Sequence, residues 1–380
     1  MKFSIIIPLY NKAPYVRKAL ESVFAQTYTD YELIVIDDGS TDDSAEIAEE
    51  VLQEATPHRP IASSPYRLLK QTNAGVSAAR NNGVAASQGD YIAFLDADDW
   101  WEPTYLERMA LLINDYPDAG LYASNYYYHK DGINIIKVDI PTGYFNYPLE
   151  YFKNFAMPVW TGATIISRKV YDEMGGFPLG IKLGEDFLLW SKIAIQYPVA
   201  FLNEPLAYYN NTLLANYRAT RNLHVPEHHM LFRLEEMMGQ GYEATRLSGS
   251  KAIRQENGAH ETTRPHRLIA SSPYRPIDED WLRLIDMLRL LGLHSYWISD
   301  EYHEIAQLEI DKVDMSLQYE FLVKLYSQPR WVQRLKQRLL RIAAGPIGLL
   351  KRLKQKKKTA QTNIIIDNRE YRKSMGLEVQ

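Results

Sequence analysis

Apolar and polar positions alternate between two periods along the first half of the chain. Phe3-Ser4-Ile5-Ile6-Ile7-Pro8 is a β-rich apolar run closed by a turn residue. Residues 15–26 then place Val16, Ala19, Leu20, Val23 and Phe24 at helical spacing. Tyr31-Glu32-Leu33-Ile34-Val35-Ile36 reads as a second strand, and residues 43–54 as a second helix. Further strands are predicted near Leu68-Leu69, at Tyr91-Ile92-Ala93-Phe94-Leu95 and at Thr164-Ile165-Ile166-Ser167. Residues 187–195 have helical spacing, as do 230–238, 281–293 and 302–325. Continuous apolar strands alternating with helices predict an α/β fold whose mostly parallel sheet is covered on both faces.

Two of these strands run into acids. Phe94-Leu95-Asp96-Ala97-Asp98-Asp99 puts carboxylates directly after a buried strand. Asp96 and Asp98 alternate along extended chain, so both can face one side. Neighbouring carboxylates repel, and one pKa must rise unless a cation is shared. A hard divalent metal with oxygen ligands resolves this, and its open positions suit a diphosphate. The competing reading is that Asp99 caps a helix with Pro103 near its start. The second acidic end is Asp37-Asp38-Gly39-Ser40-Thr41-Asp42. In open α/β sheets ligands bind beyond the carboxyl ends of the strands, so both clusters are expected to face one crevice. Asp38 reads as an acceptor for a base or ribose, while Ser40 and Thr41 suit helix capping.

Taken in order, four motifs are familiar: Ile6-Ile7-Pro8-Leu9-Tyr10-Asn11, Val35-Ile36-Asp37-Asp38-Gly39-Ser40-Thr41-Asp42, Asn73-Ala74-Gly75-Val76-Ser77-Ala78-Ala79-Arg80-Asn81, and Phe94 to Asp99. Over roughly residues 1–225 the chain resembles the family 2 glycosyltransferases. The resemblance implies a GT-A fold of Rossmann-like type, a nucleotide-sugar donor (UDP the expected nucleotide) and inversion at the anomeric carbon. It implies that Pro8 and Tyr10 border the base and that Asp38 accepts from it. Asn11, Asn73 and Ala97 fall in the same donor motifs. Asp96 would touch the ribose or sugar side, and Arg80 the nucleotide or donor sugar. Asp98 would bind the metal directly, with Mn2+ or Mg2+ the expected ion. Arg80 also reads simply as an exposed helix arginine.

The chemistry requires a base, because an acceptor hydroxyl must lose its proton as it attacks. Negative charge also favours an oxocarbenium-like transition state. Gly184-Glu185-Asp186-Phe187 follows a break at Met174-Gly175-Gly176-Phe177-Pro178 that suits a loop over a site. The resemblance implies that an acidic pair at this point supplies the base, with Asp186 the expected base and Glu185 the second candidate. Both also read as ordinary acids of a first helical turn. Trp160 can stack on an acceptor sugar or belong to the core.

Composition narrows the class. The 380 residues include no Cys, which excludes disulfides and thiolate metal sites, and a net charge of −4 argues against a nucleic-acid binder. No apolar run reaches the roughly 18 residues of a membrane span. Ile5-Ile6-Ile7 is too short for a secretory signal, so a cytoplasmic protein is expected. Residues 330–358 hold eleven Lys or Arg and no acid, interleaved with Trp331, Leu335, Leu339, Leu349 and Leu350. That pattern predicts binding to an anionic membrane surface on the inner face of the plasma membrane, against a solvated basic helix or disordered tail. Lipid-linked or glycan acceptors in surface-polysaccharide synthesis follow from the resemblance.

The expected organisation is a GT-A domain over 1–225, a helical region over 226–325 with a mobile loop at 246–276, a basic amphipathic segment over 326–358 and a tail over 359–380. Gln328-Pro329-Arg330-Trp331 is one residue short of the Gln-x-x-Arg-Trp of processive members, so a single addition is expected. Residues 58–67 and 266–275 are the same at nine of ten positions and read as insertions in surface connections. His224, His228 and His229 read as surface histidines. Two other classes compete: a catalytically inactive GT-A binding protein, and a sugar nucleotidyltransferase. The latter needs a Gly-rich loop after the first strand, and Pro8-Leu9-Tyr10-Asn11-Lys12 is not one.

Overall fold

The structure is a computed structural model. It describes residues 1–55, 65–136, 138–154, 157–212, 229–233, 281, 284–286, 288, 303–310 and 364–365. The readings for residues 246–276 and 326–358, for His224 and His228, and for the second copy of the repeat lie outside the described residues.

The chain runs β1 (Phe3–Leu9), α1 (Val16–Phe24), β2 (Tyr31–Asp37), α2 (Ser44–Ala55), β3 (Tyr66–Lys70), α3 (Val76–Ala85), β4 (Tyr91–Phe94) and β5 (Trp100–Trp101). It continues through α4 (Tyr105–Asp115), β6 (Leu121–Lys130), β7 (Ile133–Ile136), β8 (Gly143–Phe145), α5 (Tyr147–Asn154), β9 (Thr164–Ser167), α6 (Arg168–Met174), α7 (Glu185–Gln196) and β10 (Val199–Asn210). Near the C-terminus lie α8 (His303–Ile310) and β11 (Ile364–Ile365).

One sheet holds the strands in the order β3-β2-β1-β4-β9-β6-β7-β11, with β10 pairing β5, β6 and β8. The four strands β3-β2-β1-β4 are parallel throughout. Beyond them the sheet is mixed, because β9 runs antiparallel to both β4 and β6. The mostly parallel character expected from the sequence therefore belongs to the first half. The first copy of the repeated segment is not wholly a loop insertion. Its last two residues, Tyr66 and Arg67, open β3 and pair with Leu33 and Ile34.

The two-residue period of a strand sends alternate side chains into two cores. Ile6, Ile34, Ile36, Ile92 and Phe94 pack with α3, α6 and α7 through Ala79, Val84, Val170, Met174, Phe187 and Trp190. Ile5, Ile7, Leu33, Val35 and Ala93 pack with α1, α2 and α4 through Val16, Leu20, Val51, Leu52, Leu106 and Met109. Trp281, Leu284, Ile285, Leu288 and Ala306 join the first of these cores. α3 lies close on the sheet because Gly83 has no side chain. A Cβ there would sit 2.4 Å from Ile6 Cγ2 and 3.3 Å from Ile36 Cγ1.

Candidate active site

The site forms where the parallel strands end. Leu9 and Asp37 close β1 and β2 in register, and the Asp38 amide donates to the Leu9 carbonyl at 2.8 Å. Asp38 is buried, 3% exposed. Its carboxylate accepts from Gln71 Nε2 and the Ala74 amide at 2.8 Å each, and from the Gly75 amide at 2.9 Å. It thereby holds the turn that opens α3. A carboxylate has roughly four acceptor positions, so one is left for a ligand donor. Asn11 sits at φ 50°, its Oδ1 accepting from the Thr41 amide at 2.8 Å and its amide donating to Ser40 Oγ at 3.1 Å. Gly39 needs its φ of 72° and its missing side chain, since a Cβ would lie 3.0 Å from the Asn73 amide nitrogen. Pro8 is half-buried, Asn73 is exposed, and the Tyr10 ring is 46% exposed.

The acids after β4 do not form an extended strand end. The Asp99 amide donates to the Asp96 carbonyl at 3.0 Å, closing a turn that sends the carboxylates to different partners. Asp96 Oδ1 accepts from Arg80 Nη2 at 2.8 Å, and Asp98 Oδ2 from Lys12 Nζ at 2.5 Å. Ala97 is buried in the core. The helix-cap reading of Asp99 fails. α4 starts only at Tyr105, Trp100 and Trp101 form β5 against β10, and Asp99 Oδ1 accepts from the Asn210 amide at 2.7 Å. Burial lifts the Asp98 carboxyl above its ordinary value, with Lys12 opposing and Asp96 adding to the rise. Burial, then the charges of Asp98 and Asp96, lift Asp99 further.

The base side comes from the other face. Arg80, on α3, is buried and reaches Glu185 Oε1 with Nη1 at 2.9 Å while Nη2 holds Asp96. Burial opposes its charge, but Asp96 and Glu185 outweigh that and hold the guanidinium firmly protonated. Among the described residues its Nε has no partner. Arg80 is therefore not an exposed helix residue, and each of its terminal nitrogens already holds one carboxylate. Glu185 is buried at the first turn of α7, and burial, then Asp186, raise its carboxyl against the pull of Arg80. Asp186 is half-buried. Thr161 Oγ1 donates to its Oδ2 at 2.8 Å, and the Phe187 amide donates to Oδ1 at 2.7 Å. Tyr126 and Tyr147 are buried and Tyr151 half-buried within reach of its charge, and desolvation above all, with that charge adding to it, keeps their phenols protonated.

Asp96, Asp98, Asp99, Glu185 and Asp186 thus gather around the two cations Lys12 and Arg80. Carboxylates outnumber cations, and Asp98, Asp99 and Glu185 stand above their ordinary pKa, an excess of negative charge that a hard divalent ion would offset. Among the described residues no three His, Cys, Asp or Glu converge on a common point, so such an ion would need further oxygens from a ligand. A cavity of about 200 Å3 opens on the α1 side of Asp98, lined by Pro14, Tyr15, Lys18, Trp100, His129 and Asn210. Trp100 is covered there, with Lys18 Nζ 3.0 Å from its ring centroid and Tyr208 stacked at 4.9 Å.

Trp160 does not meet the expectation of an acceptor platform. It is 7% exposed, packed against Tyr126 at 5.0 Å and edge-on to Tyr209 at 5.3 Å. No ring face is offered to a sugar. Lys12, Thr161 and Asn210 join the site without a signal in the sequence. Thr161 adjoins Trp160 in the chain, but its pairing with Asp186 spans 25 positions that no period connects.

Comparison with known proteins places this geometry. Residues 4–175 match the model of glycosyl transferase family 2. Glycosyltransferase GlyA of Streptococcus pneumoniae is 32% identical over 229 residues, 56% of this chain and 30% of that protein. The uncharacterized glycosyltransferase YibD of Escherichia coli is 42% identical over 132 residues, 34% of this chain and 36% of that protein. The chain thus spans about a third of the length of these curated relatives. The crystal structure of Staphylococcus aureus TarS 1–349 in complex with UDP-GlcNAc superposes with a TM-score of 0.56 at 18% identity, covering 83% of this chain and 82% of that one. That likeness shows the fold alone, the GT-A arrangement of a central sheet flanked by helices. The match to glycosyl transferase family 2 is confined to residues 4–175, a little under half of the chain.

Proposed function

We propose that the chain is a metal-dependent inverting glycosyltransferase that moves one sugar from a nucleoside diphosphate, UDP in the first instance, to a hydroxyl of a glycan or lipid-linked acceptor. The observation that carries this reading is the Arg80 fork. It joins Asp96, at the end of the donor-side strand, to Glu185, at the start of the helix bearing Asp186. A donor-binding edge and a half-exposed carboxylate therefore adjoin across one guanidinium. The relatives GlyA and YibD, both glycosyltransferases by name, support the reaction class. TarS, of the same fold, binds UDP-GlcNAc, which favours a UDP-sugar here.

In this reading Asp38, Tyr10, Pro8, Asn11 and Asn73 bind the nucleoside, and Asp96 and Ala97 border its ribose or sugar side. Asp98 would hold a divalent cation, Mn2+ or Mg2+, together with diphosphate oxygens. Such an ion would offset the charge gathering on the leaving diphosphate. The acceptor oxygen attacks the anomeric carbon as the bond to the diphosphate oxygen breaks. The bonding electrons leave with the nucleoside diphosphate, and the hydroxyl proton passes to Asp186. Asp186 suits this better than Glu185, because Glu185 is buried and its Oε1 is held by Arg80. The closed Trp160 removes the acceptor platform first expected, so no residue is assigned to it.

A role in surface-polysaccharide synthesis at the inner membrane face rests on the basic segment 330–358. No helix among the described residues is long and apolar enough to cross a membrane. The reading is tested by thermal denaturation with a panel of nucleotides and nucleotide sugars, with and without Mn2+. Ligand binding raises stability with the logarithm of ligand concentration over Kd. A metal-dependent shift with UDP, larger for one UDP-sugar, is expected. Folded protein that no nucleotide stabilises would refute the donor site and leave a binding protein of the same fold.

A further inference from the structure

The geometry points to α3 as a two-point clasp on the segment that carries the base: Asn81 and Arg80 are positioning residues that set where Asp186 stands. The inference rests on the transferase reading above. Asn81 Nδ2 donates to the Phe177 carbonyl at 2.9 Å, and the Phe177 amide donates back to Asn81 Oδ1 at 2.9 Å. A side-chain amide thus pairs with one residue's backbone in both directions. Tyr171 Oη also donates to Asn81 Oδ1, at 2.5 Å. The preceding residue, Arg80, lies 4.9 Å over the Phe177 ring and grips Glu185 at 2.9 Å. Two successive residues of one helix therefore hold both ends of residues 177–185.

Between the two ties the backbone turns on glycines. Gly180 and Gly184 stand at φ 79° and 85°, and Gly176, just before the first tie, at 74°. Leu179 is 65% exposed and Leu183 44%, while Ile181 is buried in the core and the Leu183 carbonyl accepts from the Met230 amide at 3.1 Å, so the stretch has one further anchor between the ties and Met230 beside the second. Asp186 follows the second tie directly. The start of the same helix is held by Asp38 through the Ala74 and Gly75 amides, and Arg80 also holds Asp96. α3 is thus joined both to the donor-side acids and to the segment of the base. Loosening the clasp should displace the base without touching the donor contacts, and a displacement near 1 Å can cost about 10²-fold in rate.

The test uses the full chain and two variants, Asn81→Ala and Asn81→Asp. Asn81→Asp keeps the acceptor for Phe177 and Tyr171 but loses the donor to the Phe177 carbonyl. Hydrogen exchange should quicken over residues 175–186 in Asn81→Ala, less so in Asn81→Asp, with β1 to β4 unchanged. With whichever UDP-sugar the wild type turns over, kcat should fall about 10²-fold while the donor KM stays put. In an Asp186→Asn background the same substitution should cost little more, since the clasp acts through Asp186. Unchanged exchange in both variants would overturn the clasp. So would an equal loss of kcat with and without Asp186. If the wild type transfers from no UDP-sugar, the transferase reading fails, while the exchange comparison still decides the clasp.

Discussion

Replacing Arg80 with methionine removes the cation from the centre of the site and keeps most of its apolar volume. Arg80 and Glu185 have side chains only 4% and 12% exposed, and Asp96 27%. Breaking a buried pair by removing one partner costs about 3–5 kcal/mol, because it strands a charge in a poorly solvated place. The stranded charge here is mainly Glu185, since Asp96 retains more water. For a domain of this size each kcal/mol lowers Tm by about 2–4 °C, so Arg80→Met should melt about 6–20 °C below the wild type. Adding Glu185→Gln removes the stranded charge and should recover about half of that loss. Coupling between contacting residues commonly amounts to about 0.5–3 kcal/mol. The assay is thermal denaturation of the four proteins of the cycle, with urea unfolding for the free energies. Additive losses, or an Arg80→Met protein melting within roughly 2 °C of the wild type, would refute the claim that this pair ties strand end to helix start.

Further outcomes follow from other contacts. Gly83→Val would drive a side chain into Ile6, whose Cγ2 lies only 2.4 Å from where the new Cβ would stand; α3 must lift, at a cost of about 1–3 kcal/mol, and the UDP-induced thermal shift should shrink because Asp38 holds that helix. Glu185 is raised above its ordinary 4.5 in the fold, so its favourable contribution is full below that value and is lost as pH rises through the raised one. The Tm of Glu185→Gln minus that of the wild type should therefore climb as pH goes from about 4.5 towards neutrality, and a falling difference would contradict the burial of Glu185.

How far the chain can be read in advance depends on the kind of contact. β1, α1, β2 and α2 show in the pattern because their faces repeat every 2 or 3.6 residues. The strand ends carrying Asp38 and Asp96 follow from the same pattern. β5 escapes it because a two-residue strand has no period, and Ala207, the partner of Trp101, lies 106 positions away. Arg80 looks free in the sequence because its partner Glu185 is 105 residues on, a pairing made only by α3 and α7 covering the same sheet face. Trp160 suits either a sugar or the core, and Tyr126 and Tyr209 decide for the core. Strand alternation puts the acids of the Asp96 turn on one side, whereas the turn hydrogen bond ends the strand first.

The central claim is that Asp186 takes the acceptor proton at a site that binds a nucleotide without it. Calorimetric titration of UDP in Mn2+ buffer, paired with transfer rates, for wild type and Asp186→Asn tests it most directly. Equal UDP affinity with transfer reduced roughly 10²–10⁴-fold is expected for loss of a general base. Undiminished transfer by Asp186→Asn, or loss of UDP binding together with activity, would contradict the account.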